Sequence, residues 1–202
     1  MICTLCPRRC GAERTETDGH GFCAMPAQLR VARAALHLWE EPPISGTRGS
    51  GTVFFSGCTL RCVYCQNGSI SAGGFGKSVT TTRLRAIFQE LIDAGAHNIN
   101  LVTPTHFLPW ILPALDPPLP VPVIYNCGGY ESVDTLRLLE GKADVYLPDL
   151  KYADESLASR LSAAPDYFPV ATAAIREMYR QTGDYVLEDG LLRRGVIIRH
   201  LV

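Results

Sequence analysis

From residue 51 onward, strand-like and helix-like segments alternate along the chain. The strand-like segments are the apolar runs GTVFFSG, HNINLVTP, VPVIYNCGG, ADVYLPDLKY and GVIIRHLV. Helical patterns fill the gaps at residues 80–95, 105–115, 132–141 and 154–180, the last broken near Pro165. This alternation predicts a parallel sheet with right-handed crossovers, either doubly wound or closed into a barrel. A hairpin is expected at Asp189 and Gly190, before the fifth strand.

Polar residues follow each apolar run directly. The segments SGCTLRC, VTPTH, YNCGG, PDLK and RHLV stand where the five strands end. In both kinds of parallel sheet, ligands bind beyond the carboxyl ends of the strands. The sequence therefore predicts an active site at that edge.

Residues 1–50 differ from the rest of the chain. They contain a cysteine-rich head, a stretch AQLRVARAALHLWEE that is expected to be helical, and a linker PPISGTRGSG. We expect two parts: an N-terminal extension and linker over residues 1–50, and a partial barrel over residues 51–202.

Composition limits the classes of partner. Hydrophobic residues make up 47% and charged residues 19%, which is typical of a soluble globular protein. A formal net charge of -1 gives no electrostatic reason to expect nucleic acid or an anionic membrane. No charged-then-apolar leader opens the chain, and prolines interrupt the apolar stretch at 99–124. A cytoplasmic location is the expectation.

The placement of the eight cysteines indicates metal chemistry. The cytoplasm keeps thiols reduced and uses clustered cysteines for metals or catalysis. Cys127 stands alone and is expected to be a small apolar filler. The other seven fall into a head group and a loop group, which are Cys3, Cys6, Cys10 and Cys23, and Cys58, Cys62 and Cys65.

The loop group stops at three ligands. A tetrahedral zinc site needs a fourth ligand, and none follows Cys65 at suitable spacing. A cubane iron-sulfur cluster can instead be held by three thiolates, which leave its fourth iron open to a small molecule. The alternatives are a chance cluster of buried cysteines and a partial zinc site.

A C-x3-C-x2-C loop directly after the first strand resembles the signature of radical S-adenosylmethionine (SAM) enzymes. With Tyr64 before Cys65 and Gln66 after it, the loop is most similar to pyruvate formate-lyase activating enzymes and their uncharacterised relatives. The head and the phrase EEPPISGTRGSGTVFFSGC extend the resemblance to the whole chain. It implies a partial parallel (β/α) barrel with a 4Fe-4S cluster whose open iron is chelated by SAM. One electron then splits SAM to methionine and a 5'-deoxyadenosyl radical.

The resemblance also implies roles for charged residues at the strand ends. Asp149 and Lys151 match a DLK segment that faces the cofactor in the family, and Arg199 matches an arginine of the fifth strand. Lys151 and Arg199 are the candidate catalytic residues and carboxylate partners, and Asp149 is expected to orient polar groups or a cation. The alternative is that these are charges on solvated strand ends. Tyr64 is a further candidate for cofactor binding.

One family feature is missing. The second strand usually ends in a Gly-Gly-Glu segment that holds the amine of SAM, and VTPTH stands there instead. Its hydroxyl and imidazole groups are candidate substitutes, although no carboxylate is present. The segment GGYE follows the third strand, so the role is not transferred to it. Backbone amides near the third strand end are expected to approach the adenosyl part. The cofactor-binding candidates of these two strand ends are Thr103, Thr105, His106, Asn126 and Gly128.

The four head cysteines suit either of two metals. Their spacings of two, three and twelve intervening residues allow a closed zinc site or an auxiliary cluster, and His20 is an alternative ligand. The remaining alternative is four unliganded thiols.

The chain ends within or just after its fifth predicted strand, whereas the family's barrel normally has six. An apolar edge would then be exposed, so we expect either a truncated form or completion of the sheet by another chain. The hypothesis is a radical SAM oxidoreductase that keeps its cluster site and handles substrate poorly. Its expected partners are SAM, a flavodoxin or ferredoxin as electron donor, and a glycyl radical enzyme as protein substrate. The alternatives are a zinc-binding scaffold without catalysis and an inactive fragment.

Overall fold

A computed structural model describes residues 2–200, in which an eight-stranded sheet is flanked by helices. In chain order the elements are β1 (Arg30–His37), α1 (Pro42–Ser45), β2 (Ser50–Phe55), α2 (Gly68–Ser71), β3 (Lys77–Ser78), α3 (Thr81–Asp93), β4 (Ile99–Val102), α4 (Leu108–Ile111), β5 (Val123–Cys127), α5 (Val133–Arg137), β6 (Val145–Pro148), α6 (Glu155–Ser162), α7 (Tyr167–Thr182), β7 (Val186–Glu188) and β8 (Leu191–Val196). Single 3-10 turns at Thr105–Phe107 and Leu112–Leu115 flank α4. These turns agree with the proline-interrupted helix predicted there.

The sheet is mostly parallel, as the alternation predicted. Its strand order is β3-β1-β2-β4-β5-β6-β8-β7. The neighbours from β2 through β4, β5 and β6 to β8 pair in parallel, whereas β1 and β7 run antiparallel to β2 and β8. The fold class is therefore mixed α/β. Closure into a barrel of the radical SAM type stays a prediction.

The prediction of a helix at AQLRVARAALHLWEE is wrong. Residues Arg30–His37 form β1, which pairs with β2 from Val31 opposite Phe55 to His37 opposite Ser50. Alanine, leucine and arginine favour helices in isolation, but the open edge of β2 offers backbone partners, and this tertiary pairing overrides the local preference.

The segment predicted as a linker is partly ordered structure. It contains α1, whose Ile44 is fully buried, and its last two residues, Ser50 and Gly51, are the first two of β2. Met25, Leu29 and Val31 join the same core cluster as α3 and β2. Residues on both sides of position 50 thus share one core, while the division into two parts stays a prediction.

The two faces of the sheet bury different clusters. Alternate residues of a strand point to opposite faces. One face packs Val53, Phe55 and Leu101 against Leu84 and Phe88 of α3. The opposite face packs a cluster comprising Ile44, Ile124, Val145, Leu147 and Leu192. Helix α1, which precedes β2, therefore packs on the face of the sheet opposite to α3.

The fifth predicted strand, GVIIRHLV, overlaps β8 only at its first two residues, because β8 spans Leu191–Val196. Gly195 and Val196 pair with β6, and Arg199 then forms an isolated parallel bridge with Asp149. Residues 201 and 202 of this strand lie outside the described residues. The hairpin at Asp189 and Gly190 is confirmed, and its β7 pairs with β8. Within residues 2–200, β8 is therefore not the edge strand that the sequence led us to expect.

Helix α3 begins where the sequence predicted. The Thr80 hydroxyl accepts a hydrogen bond from the Arg83 amide at 3.1 Å and so caps the helix. Removing an N-cap hydroxyl costs about 1 kcal/mol. We expect Thr80→Ala to lower the free energy of unfolding in urea by that amount and the exposed Thr82→Ala to leave it nearly unchanged. Equal effects of the two changes would contradict the capping role.

Across residues 2–200, no helix combines the length and the apolar character that a bilayer-spanning segment needs.

Candidate functional site

The three loop cysteines lie just beyond the carboxyl end of β2. The chain turns at Gly57, where φ is 81° and an added Cβ would meet the Met25 side chain at 2.3 Å. A side chain does not fit there, so glycine is required. Arg61 also has a positive φ of 55°, between the first two cysteines. These two turns fold residues 57–65 into a compact loop in which all three cysteines are partly buried.

Each loop sulfur accepts at least one hydrogen bond. The Leu60 amide donates to Cys58 Sγ at 3.3 Å, the Ser162 hydroxyl donates to Cys62 Sγ at 2.9 Å, and the Ser71 hydroxyl donates to Cys65 Sγ at 3.3 Å. Burial raises the pKa of the Cys58 thiol, and backbone hydrogen bonds from Arg61 and Leu60 oppose that rise. Donors of this kind favour the thiolate form, which is the form that binds metal.

The loop supplies three thiols, which is the donor set of a cluster held at three of its irons. Among residues 2–200, no three Cys, His, Asp or Glu side chains form a group that could hold one metal ion. A zinc ion would require its thiolates to converge within ~4 Å of each other, given Zn–S bonds of ~2.3 Å. A cubane cluster needs no such convergence, because each thiolate binds a different iron. Three thiols on one loop suit the second arrangement.

A charged network lies at the neighbouring strand ends. Asp149 follows β6, and its two carboxylate oxygens accept from Lys151 Nζ at 2.6 Å and from Arg199 Nε at 2.8 Å. The Arg199 guanidinium also donates to Asn126 Oδ1 at 2.7 Å. Burial lowers the pKa of Lys151, but the adjacent Asp149 charge and hydrogen bond outweigh it, so the pKa lies above its ordinary value. The structure thus brings together four of the residues predicted from separate strand ends.

Gly128 joins this network to the cysteine loop. An added Cβ there would lie 2.8 Å from Leu60 Cδ1 and 3.6 Å from Lys151 Cε. The Tyr167 hydroxyl lies between the ends of β5 and β6, 2.8 Å from the carbonyls of both Gly128 and Asp149, and it accepts from the Lys151 amide. The cysteine loop and the charged network are therefore adjacent parts of one edge.

Sequence reasoning missed Glu40 and Glu41. Glu40 Oε2 accepts from Asn100 Nδ2 at 3.1 Å and from Asn126 Nδ2 at 3.0 Å, and it lies 3.7 Å from the Arg199 guanidinium. Glu41 Oε1 lies 3.9 Å from Arg199 Nε. Burial raises the pKa of Glu40, while the Arg199 charge lowers it. The available signal was the phrase EEPPISG, whose two glutamates the sequence prediction placed at the end of the expected helical stretch.

The end of β4 departs from the expectation that no carboxylate is present. Thr105 Oγ1 donates to Glu131 Oε1 at 2.9 Å, and the Tyr125 hydroxyl lies 3.0 Å from both Glu131 Oε2 and Thr105 Oγ1. Glu131 belongs to the GGYE segment after β5 and is buried. Thr103 has a left-handed φ of 56°, which is unusual for a β-branched residue, and its amide donates to the Asn126 carbonyl. A carboxylate from the next loop thus lies beside Thr105.

The His106 ring contacts the backbone at Ser56, directly before the cysteine loop. Burial lowers its pKa to about 4, so the ring is neutral, and its Nε2 donates to the Ser56 carbonyl at 2.7 Å. The ring also contacts Phe107. The hydrogen bonds of His106 and Thr105 run to Ser56 and Glu131, whereas the charged network is built on Asp149. Their roles in cofactor binding stay predictions.

The buried Glu131 carboxyl makes stability depend on pH. Burial raises its pKa from 4.5 to about 7, despite hydrogen bonds from Thr105 and Tyr125 that lower it. The folded protein therefore holds more protons than the unfolded chain between these values, and the free energy of unfolding falls as pH rises through that window. The loss is roughly 3 kcal/mol for this one group.

Glu131→Gln is expected to remove this contribution, because the amide stays uncharged. Urea denaturation at about pH 5 and pH 8 measures the difference, with the exposed Glu16→Gln as control. A variant that keeps the full pH dependence of the parent would contradict the assignment.

The head cysteines differ in exposure. Cys3 and Cys6 are buried, Cys10 is exposed, and Cys23 is intermediate. Burial raises the pKa of the Cys6 thiol to about 12, which a bound cation would have to offset. A metal in the head stays a prediction. Cys127 is buried among Leu108, Tyr125 and Leu136, in agreement with its expected role as a filler.

Comparison with known proteins supports the cluster. Residues 45–103 match the family described as a 4Fe-4S single cluster domain, and this range contains the whole cysteine loop. The match fits an iron-sulfur protein. The chain is also 33% identical to Uncharacterized protein MJ0674 of Methanocaldococcus jannaschii over 211 aligned positions, which cover 99% of the chain. The chain spans 56% of the length of that relative.

Proposed function

We propose that this chain is a cytoplasmic radical SAM iron-sulfur protein that cleaves SAM reductively. The proposed cluster ligands are Cys58, Cys62 and Cys65. When bound, the cluster supplies the electron that splits the sulfonium bond of SAM. The observation that carries the proposal is the adjacency of the cysteine loop to the network of Asp149, Lys151 and Arg199 at one edge of a parallel sheet.

The proposed roles of the chain follow from charge and geometry. Lys151 and Arg199 both donate to the Asp149 carboxylate, and each side chain has more N–H donors than that contact uses. A methionine carboxylate at this edge would be such an acceptor. Asp149 holds both cations in place before binding. Gly128 has no side chain, so Leu60 of the cysteine loop can pack closely against the end of β5 beside Lys151.

Two protein partners are proposed for this site, an electron donor and a protein substrate. A flavodoxin or ferredoxin would deliver electrons to the cysteine loop, whose Tyr64 and Val63 are exposed. A glycyl radical enzyme is the proposed protein substrate, by resemblance to pyruvate formate-lyase activating enzymes. Because the chain spans little more than half of its relative, both partners are proposed for the full-length protein.

Anaerobic reconstitution with iron and sulfide tests the proposal. The expected result is broad brown absorbance, with methionine and 5'-deoxyadenosine released after SAM and dithionite are added. Iron, sulfide and zinc are counted on the same sample. A colourless protein that holds only zinc would favour a scaffold. A brown protein that leaves SAM intact would contradict SAM cleavage while keeping the cluster.

A further inference from the structure

One arginine of the head ties the cysteine loop to the end of α6. Arg8 Nε donates to the Thr59 carbonyl at 2.9 Å, and its terminal nitrogens donate to the Ser162 carbonyl at 2.7 Å and to the Ala163 carbonyl. The last carbonyls of a helix lack partners within the helix, and a planar guanidinium can satisfy several of them at once. Residue 59 lies between two loop cysteines, so Arg8 joins three distant parts of the chain.

The Arg8 guanidinium also lies near two aromatic rings. It lies 3.9 Å from the centre of the Phe22 ring and 5.0 Å from that of the Tyr130 ring. The Phe22 carbonyl accepts from Arg61 of the cysteine loop at 3.2 Å. Stacking and hydrogen bonds together fix the plane of the guanidinium.

A chain of hydroxyls ends on Cys62. The Ser162 hydroxyl has one hydrogen and donates it to Cys62 Sγ at 2.9 Å. The contact of 2.6 Å between Ser162 Oγ and Tyr152 therefore has the tyrosine as donor. By the same reasoning, Tyr64 donates to Tyr152 across 2.5 Å. All three hydrogens point toward the sulfur, and such chains polarise each member in turn.

We propose that Ser162 and Arg8 are positioning residues for the cluster. The Ser162 hydrogen bond to the Cys62 thiolate raises the reduction potential of the cluster, and Arg8 keeps the end of α6 where that bond can form. This inference rests on the proposed cluster at Cys58, Cys62 and Cys65. It gives the head a function in tuning the site, whether or not the head itself holds a metal.

The sign follows from charge. Reduction adds negative charge to the cluster and its thiolates, and a donor aimed at a ligand sulfur stabilises the reduced form more than the oxidised form. Losing the donor therefore makes the potential more negative. Removal of one such bond is expected to change the ratio of reduced to oxidised cluster about tenfold, which is about 59 mV for a one-electron couple.

The test is a redox titration of the reconstituted full chain, followed by EPR. The signal to follow is the one that disappears in Cys62→Ser. Ser162→Ala is expected to make the midpoint potential of this signal more negative by about 59 mV, which corresponds to a tenfold change in the ratio of reduced to oxidised cluster. Arg8→Lys keeps the charge and loses the planar fork, so it should shift the midpoint in the same direction by less. Ser159→Ala on the same helix and Arg9→Lys in the same head segment, both exposed in the native chain, should leave it unchanged.

The outcomes separate the two proposals. No Cys62-dependent signal in the unmodified protein would overturn the proposed cluster, and the inference with it. An intact signal whose midpoint is the same in Ser162→Ala would overturn the inference alone. If Ser162→Ala fails to fold, Tyr152→Phe takes its place, because it keeps the ring against Tyr167 and removes the hydroxyl that donates to Ser162. An unshifted midpoint in both Tyr152→Phe and Arg8→Lys would overturn the inference equally.

Discussion

Replacing Cys62 by serine is expected to remove the brown absorbance of the loop cluster and about four irons per chain after anaerobic reconstitution. Three thiolates hold the proposed cluster, and a serine hydroxyl does not ionise near neutral pH, so the loss of one ligand leaves only two. The same loss is expected for Cys58→Ser and Cys65→Ser. Iron and sulfide analysis measures the effect directly.

Cys127→Ala is the matched control for this change. Cys127 is buried in the core between β5 and the helices, so its removal is expected to affect stability and leave the iron count of the loop unchanged. A separate Cys10→Ser variant tests the head. Any fall in its metal content per chain is attributed to the head, because the three loop cysteines are unchanged. Full iron content in Cys62→Ser would contradict the assignment of the loop as the cluster site.

Replacing Asp149 by alanine is expected to have the largest effect on stability among the site residues. Asp149 is the shared partner of Lys151 and Arg199, whose side chains are only 16% and 25% exposed. Without the carboxylate, Lys151 loses its ion-pair partner, and Arg199 keeps only the longer contacts with Glu40 and Glu41. Breaking a buried ion pair costs ~3–5 kcal/mol. Because these side chains keep some solvent, we expect a loss of roughly 3 kcal/mol in the free energy of unfolding.

Urea denaturation of the metal-free chain measures this loss apart from any cluster. The matched control is Asp134→Ala, which removes an exposed ion pair with Arg137 and is expected to change stability by less than ~0.5 kcal/mol. Asp149→Asn keeps the shape and removes the charge, so it should fall between the two. Equal stability of Asp149→Ala and Asp134→Ala would mean that the network contributes nothing to the fold.

The parallel part of the sheet could be predicted because its strands are apolar runs separated by amphipathic or proline-marked segments. The edge strand β1 could not, because its alanine, leucine and arginine residues favour a helix until β2 is present to pair with them. The same limit applies to α1, which is only four residues long and depends on burial of Ile44.

The charged part of the site followed from strand ends that must meet at one edge of a parallel sheet. This rule predicted from the sequence alone that Asn126, Asp149 and Arg199 lie near one another. It could not find Glu40, Arg8 or Ser162, which reach the site from segments that are distant in sequence and carry no local pattern. Such residues become visible only when the contacts are known.

The most direct test of the central claim is the EPR spectrum of the reduced, reconstituted chain before and after SAM is added. Ligation of SAM at an iron that no cysteine holds is predicted to change the g values of the Cys62-dependent signal. The same spectrum with and without SAM, in a sample shown to contain the cluster, would contradict an open iron site in this protein.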